Sequence, residues 1–549
     1  MGGRILKLEG FDVHGREARL RDLPDRYDLL VIGGGINGCG IALEATRRGY
    51  RVLLLDQGDL GGGTSSRSSR LIHGGLRYLR EGKVGLVWEA SRERHWLRMH
   101  YPHLVRPLRF LIPYYRGEGR PWVTRLGLWL YDSLSGPANV GKRRSLTAPQ
   151  VAAAEPRLRR DGLLGGDFYY DCWTDDFRLV LLNAKMAYEA GAHILPYARV
   201  DRVLREDGRV TGVAFHDTLG GGRYEVRGDV VVNAAGPWSD GVRKMVGRSP
   251  RLRPTKGVHL FLPRTQVGNM NALVMRSPRD GRFVFALPWR TLCLVGTTDT
   301  DYPGPPEEVR AEADDVAYLL EAVNHAFPLA RAETEDVVSS YAALRPLAGR
   351  LGVPESSVSR REKILWDAPG LLTLIGGKLT TYRRVARRVV RRAFRDLPPV
   401  CGGQGAPSRR PAGVPTPQQG EDRARDRGQA LGLEPETIDH LIGAFGPELE
   451  ELYAHLEAKP LREPIVPDLP YVRGEVAYAV RHEMALRLED VLARRTRVMY
   501  EDPNHGLGVA RDVAHLMASY LGWDPNRVVE EVERYGGAVA ANEAFRRGD

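Results

Sequence analysis

Two textures alternate along the chain and predict two kinds of sheet. After a charged lead-in to about Arg26, YDLLVI is a short apolar run, GGGINGCGIALEATRRGY a glycine-rich turn and a helix with small residues on one side, and RVLLLD a second apolar run. That succession reads as strand, turn, helix, strand. The texture returns in DDFRLVLLNAKMAYEAGA (helix), HILPYARV (strand) and DVVVNAAG (a buried strand ending in small residues), and again in LLTLIGGKLTTYRRVARRVVRRAF. Between about 250 and 345 the pattern changes: VHLFLP, RFVFALP and LCLVGTTD alternate and are rich in β-branched and aromatic residues, which predicts an antiparallel sheet.

Interleaving of this kind predicts an α/β nucleotide-binding domain interrupted by a sheet domain, with a helical domain following. The expected organisation is a lead-in over 1–26 and a cofactor domain within 27–400, in segments of about 27–100, 150–245 and 345–400. A substrate domain of about 101–149 and 246–344 interleaves with it. A linker dense in Gly, Pro, Ser and Gln covers 401–420, and residues 421–549 show helical periodicity without a strand-like run.

Composition changes this picture little. The chain has 549 residues, 42% hydrophobic and 27% charged, as in ordinary globular proteins. A net charge of +11 admits an anionic partner, although a basic surface alone names none. Counting the rows gives 9 Lys against 71 Arg, so a Lys in a glycine-rich motif, Lys256 or Lys378, stands out as a place for a compact ammonium. Cys39, Cys172, Cys293 and Cys401 lie far apart without a C-x-x-C pair, so neither a metal site nor a disulfide framework is expected. The lead-in carries no apolar signal-peptide core, and no run of 18 apolar residues occurs.

The chemistry begins at Gly33-x-Gly35-x-x-Gly38, which follows a strand and opens a helix. The first glycine permits the tight turn, the second lets backbone approach a pyrophosphate, and the third allows helix and strand to pack closely. Asp56 ends the next strand, where an acid accepts ribose hydroxyls. Strand, helix and acid together predict a bound dinucleotide, and the motif alone does not choose between NAD and FAD. IGGKLTT (375–381) is a second glycine-rich helix start, able to aim N–H groups at a ring edge or phosphate.

VIGGGINGCGIA, TSSRSSRLIHGGLRYL, DCWTDDFRLVL, NAAGPW, KGVHL, GTTDTDY, LRPL and GGKLTTYR together resemble the FAD-dependent, quinone-reducing glycerol-3-phosphate dehydrogenases, within the flavin group that includes D-amino-acid and glycine oxidases. The resemblance runs from about Tyr27 to beyond Arg495. It implies an FAD-binding Rossmann-like domain interleaved with an antiparallel substrate sheet, and FAD as cofactor. Gly33, Gly35, Gly38 and Asp56 would hold the ADP half. Thr64, Ser65 and Ser66 would lie near the pyrophosphate or ring, Gly236 against the nucleotide, and Gly376, Gly377, Leu379 and Thr380 near the isoalloxazine. The implied substrate is glycerol 3-phosphate, oxidised at C2 to dihydroxyacetone phosphate, with a membrane quinone as acceptor.

Such a reaction needs cations for the phosphate and a base for the C2 hydroxyl. By resemblance Arg77, Arg345, Arg360 and Lys378 line the substrate site, with Tyr78 as a further donor. His259 in KGVHL is the first choice of base, with His73 and Asp299 as alternatives, and Asp299 could instead orient the histidine. Taken singly, a histidine in an apolar strand is usually a satisfied core residue. Residues 106–134 hold five Arg against two acids among Trp, Tyr, Leu and Phe, which suits either an anionic bilayer or a core segment with outward arginines. A peripheral position on the inner face of the cell membrane follows from the first. The basic helix 382–395 reads as a solvated helix face and not a nucleic-acid tract. Oxygen as acceptor, an amino-acid oxidase, and a flavin-binding or tRNA-modifying accessory protein are the competing functions, and the sequence leaves monomer or homodimer open.

Overall fold

The computed structural model describes residues 10–75, 79, 82–349, 361–395 and 417–547. The first sheet runs in the order 363–368, 371–375, 223–233, 26–32, 52–55, 193–195, its last five strands parallel. The apolar runs are continuous because both faces are covered. Leu29, Val31, Leu54, Val230 and Val232 face one core, against the helices Ile36–Arg47, Asp176–Glu189 and Tyr382–Ala393. The alternate residues Leu30, Ile32, Leu53, Leu55 and Val231 face a second core, toward the hairpin 198–217 and the helix Ser239–Met245.

From the central strand Arg26–Ile32 the chain moves first to one side and later returns on the other, through Arg223–Asn233. That reversal opens a crevice at the carboxyl ends, where such sheets bind nucleotides. The GxGxxG turn sits there beside Ala234: a Cβ on Gly33 would come 2.6 Å from the Ala234 carbonyl oxygen. A Cβ on Gly38 would come 1.7 Å from the Gly33 carbonyl oxygen, so only glycine lets the helix begin this close to its own strand.

The second sheet runs 300–301, 252–263, 292–296, 283–289, 272–276, 105–115, 163–174, 71–72, with Ser339–Ala348 along the other edge of 252–263. It is antiparallel except between 272–276 and 105–115. Three of its strands fall where the cofactor domain was expected: Leu71–Ile72, Leu163–Thr174, and the end of Ser339–Ala348 carrying Arg345. The local pattern could not reveal this, because a strand's sheet is set by its partner. Leu163–Thr174 pairs along its length with Val105–Tyr115, some sixty residues earlier.

The C-terminal helices do not form a detached domain. Ile438, Leu441, Leu452 and Tyr453 share a local core. Val476, Leu488, Leu492, Val513 and Tyr535 instead pack with Phe110, Phe261 and Tyr341 of the second sheet. The first of these helices, Pro417–Ala430, begins inside the expected linker, and residues 401–416, with Cys401, lie outside the described residues. The segment 106–134 divides into a sheet strand, Val105–Tyr115, and a helix, Pro121–Ser135, which leaves Trp122, Leu126 and Trp129 more than half exposed. At spacings of four and three these form one face. No helix among the described residues is long and apolar enough to cross a membrane.

Candidate active site

A cavity of about 1180 Å³ lies where the two sheets meet. From the cofactor side Thr64, Ser68, Ser69, His73, Gly376, Gly377, Lys378, Leu379 and Thr380 line it, and from the second sheet Gly257, His259, Thr297, Asp299 and Arg345 do. Period-two geometry sorts the KGVHL motif: Gly257 and His259 face the cavity, whereas Val258 and Leu260 join the core behind. Lys256 therefore points away and pairs with Glu312 and Asp315, at 2.7 Å each, so of the two lysines singled out by composition only Lys378 reaches the cavity.

Arg345 sits on the strand paired with that motif, opposite Thr255. Its Nη2 donates to Thr297 Oγ1 at 2.9 Å and its Nη1 to Asp299 Oδ1 at 3.1 Å. Asp299 is thus engaged with the Arg345 guanidinium. The guanidinium fits because the neighbouring position is glycine: a Cβ on Gly257 would come 2.5 Å from Nη2.

His259 is buried, packs near Tyr341, and meets Ser69 Oγ through Nε2 at 2.8 Å. Burial, then the Arg345 and Arg70 guanidiniums, push it down to about 3, so it is a neutral imidazole at physiological pH. His73 is held through its backbone N–H, which donates to Thr380 Oγ1 at 3.1 Å. Burial lowers its pKa, opposed by Asp171 and reinforced by Lys378.

At the ADP end, both Asp56 oxygens take backbone N–H groups, from Gly34 at 2.5 Å and Gly58 at 2.9 Å. Each oxygen keeps a lone pair for a ribose hydroxyl. Burial raises this carboxyl to about 6. Ser65 Oγ accepts the Ile36 N–H at 3.1 Å, and Thr64 Oγ1 donates to the Leu344 carbonyl at 2.6 Å, tying the loop to the start of the helix Ile36–Arg47 and to the second sheet. Ser66 is buried beneath. A Cβ on Gly236 would meet nothing within 4 Å, and one on Gly35 only Ser65, so room is left above the turn at both positions. An open glycine turn at a helix N-terminus, an acid on the next strand and a glycine-walled cavity fit an extended FAD.

Arg77, Tyr78 and Arg360 lie outside the described residues. Arg361, beside the last, lines the cavity. Sequence reasoning passed over Ser69, Arg70 and Asp171. Arg70 stacks 3.9 Å from the Trp289 ring centre, and Asp171 accepts from Tyr131 at 2.6 Å and from Arg94. The serine run of TSSRSSR was a signal for Ser69, whereas nothing local marked the other two.

A further group of residues secures the loop after Asp56. Asp59 is buried against Arg494 Nε at 2.6 Å and against Arg495, both from the C-terminal segment. Arg497 donates to Asp175 at 2.8 Å and Asp176 at 3.3 Å. Although burial opposes it, Arg497 and Arg70 hold the Asp175 carboxyl below the usual carboxylate range.

Residues 28–383 match the family of FAD dependent oxidoreductases, and 374–528 match the C-terminal domain of alpha-glycerophosphate oxidase. Glycerol-3-phosphate dehydrogenase 2 of Mycobacterium tuberculosis strain H37Rv is 38% identical over 94% of this chain and 88% of its own. The aerobic glycerol-3-phosphate dehydrogenase of Staphylococcus haemolyticus is 34% identical over 95% of both. Among solved structures, the Bacillus halodurans glycerol-3-phosphate dehydrogenase complexed with FAD superimposes with a TM-score of 0.79 at 28% identity, covering 97% of this chain and 98% of that one. The chain belongs to the FAD-dependent glycerol-3-phosphate dehydrogenase family.

Proposed function

We propose that the protein oxidises sn-glycerol 3-phosphate at C2 to dihydroxyacetone phosphate, using FAD, and passes the electrons to a membrane quinone. The observation that carries this reading is one cavity in which a neutral buried histidine, Arg345 and Lys378 converge beside the glycine-rich cofactor loops. Charged side chains lining that cavity comprise eight cations (Arg67, Arg120, Arg159, Arg276, Arg282, Arg345, Arg361, Lys378) and four carboxylates (Glu118, Asp171, Asp280, Asp299), an excess suited to a phosphate dianion. The membership of the family supports the same substrate.

When bound, FAD supplies the acceptor for the hydride that leaves C2. Gly33, Gly35, Gly38 and Asp56 hold its ADP half, Thr64, Ser65, Ser66 and Gly236 its middle, and Gly376, Gly377, Leu379 and Thr380 its ring. Arg345 and Lys378 bind and orient the phosphate, a task shared with Arg77, Tyr78 and Arg360. His259 takes the C2 hydroxyl proton. In the absence of substrate, burial and two guanidiniums depress its basicity; a dianion beside Arg345 offsets part of that field and raises it toward the useful range. His73 and Asp299 line the same cavity and are the comparators for this role.

Support for a membrane acceptor comes from the far end of the cavity, which reaches Val123, Leu126 and Leu130 of the helix Pro121–Ser135. The face of that helix with Trp122, Leu126 and Trp129 suits the interfacial zone of the inner face of a bilayer. Anaerobic addition of glycerol 3-phosphate to the FAD-loaded protein is expected to bleach the flavin band, and a quinone in anionic vesicles to restore it. Bleaching by glycine or D-alanine alone would overturn the substrate. Reoxidation by air with rapid peroxide formation, and none by quinone, would overturn the acceptor in favour of oxygen.

A further inference from the structure

The surroundings of His259 leave one route for a proton. Its Nδ1 is sealed from solvent and has no hydrogen-bond partner, while its Nε2 is taken by Ser69 Oγ at 2.8 Å. Ser69 itself lines the cavity. The serine is held from both sides. Ser68 donates through N–H and Oγ to Asp176, at 3.1 and 2.8 Å, and its carbonyl accepts from Tyr341 at 2.7 Å. Arg70 follows in the left-handed region at φ 55° and packs on Trp289, an uncommon conformation for a non-glycine residue that the surrounding contacts impose.

We infer that Ser69 is a catalytic residue that relays the substrate proton to His259. The inference rests on the reading of His259 as base. The C2 hydroxyl gives its proton to Ser69 Oγ as the Ser69 proton passes to Nε2. The C2–H bond breaks with its electron pair and hydrogen going to FAD, and the C2–O bond becomes a carbonyl. The relay requires the tautomer with the ring hydrogen on Nδ1, so that Nε2 accepts from Ser69, and the added proton returns through Ser69 to the cavity once product has left. A hydroxyl can accept and donate at once, whereas a methyl group can do neither.

The test measures the rate of anaerobic flavin bleaching against glycerol 3-phosphate concentration for Ser69→Ala, Ser69→Thr, His259→Gln and the Ser69→Ala/His259→Gln pair. Ser69→Ala is expected to slow bleaching roughly 10²-fold with the half-saturating concentration little changed, and Ser69→Thr to recover to within about tenfold. The double variant should be no slower than His259→Gln. In the FAD-free protein, the nitrogen-15 resonance of His259 Nε2 should shift in Ser69→Ala and be retained in Ser69→Thr, a readout of the bond independent of turnover. Bleaching at the wild-type rate in Ser69→Ala, or multiplying penalties in the double variant, overturns the relay while leaving His259 as base. Wild-type bleaching in His259→Gln removes the base and the relay together.

Discussion

Two groups of arginines flank the cofactor loops, and they are built oppositely. Arg494, Arg495 and Arg497 are almost wholly buried and are matched by Asp59, Asp490, Glu489, Asp175 and Asp176. Arg345, whose side chain keeps 31% exposure, faces a cavity lined by an excess of cations. The first group is closed: its charges are satisfied within the chain, and its role is to fix the loop that follows Asp56. Arg345 also has partners in the chain, Asp299 and Thr297, but around its cavity cations outnumber carboxylates by two to one. Conspicuous buried charge is therefore no guide to chemistry here: the matched group positions a loop, and in the proposed function it is the group with cations in excess that meets the phosphate.

The largest expected effect separates the two. Arg495→Met leaves Asp59 buried with one arginine in place of two and the Glu483 carbonyl without its Arg495 donor, and losing a charge-assisted hydrogen bond of this kind destabilises by about 1.5–3 kcal/mol. The melting temperature and the FAD content of the purified protein should both fall, with the KM of the surviving holoenzyme unchanged. Arg345→Met should do the reverse. Loss of charge-assisted bonds to the phosphate costs about 3 kcal/mol in kcat/KM, on the order of a hundredfold, at nearly constant melting temperature. A shared pattern in the two variants, whether in stability or in KM, would break the distinction.

Gly296→Ala probes the open side by packing instead of charge. The new Cβ would fall 2.2 Å from His259 Cδ2, in the strand paired beside it, and overpacking of this kind costs about 1–3 kcal/mol. The flavin-bleaching rate should drop with His259 displaced. Gly241→Ala, which meets nothing within 4 Å, is the control and should behave as wild type.

How these groups could be read beforehand differed for a physical reason. The candidate ADP site is local: turn, helix and acid lie between Gly33 and Asp56, so spacing alone assembles them. The fold of the first sheet was legible for the same cause, its continuous apolar strands being the mark of burial on both faces. The cavity wall is assembled by pairing across the second sheet, where His259 stands between Gly296 and Tyr341, and Thr255 opposite Arg345. Resemblance, not spacing, pointed to those residues. The opposite facing of Lys256 and His259 was nonetheless contained in KGVHL, since three positions along a strand reverse the face. Glu489 and Asp490 lie within two turns of Arg494, but Arg494, Arg495 and Arg497 carried no signal for the loop they hold, because Asp59, Asp175 and Asp176 lie hundreds of residues away.

A pH titration sharpens the ADP end. With the Asp56 carboxyl at about 6 in the FAD-free protein and ribose hydroxyls favouring its ionised form, FAD binding releases a proton below that pH. The FAD dissociation constant should rise as pH falls below about 6, by at most tenfold per unit, and be flat above it. Asp56→Asn should remove the slope. A constant affinity between pH 7 and 5 in the wild type would show that this carboxylate does not contact the cofactor.

The smallest effect contrasts the two groups in a single experiment. Raising ionic strength shortens the range of charge interactions to a few ångströms, which weakens the pull of a cation-lined, solvent-connected cavity on a dianion but barely reaches pairs sealed from solvent. Between about 0.05 and 0.5 M salt the KM for glycerol 3-phosphate should rise roughly three- to tenfold. Over the same range the melting temperature, set in part by Asp59 with Arg494 and Arg495, should move little, because those side chains are 1%, 7% and 0% exposed. A melting temperature that falls with salt while KM stays fixed would invert the assignment, making the buried arginines the screened set and the cavity cations the ones already satisfied.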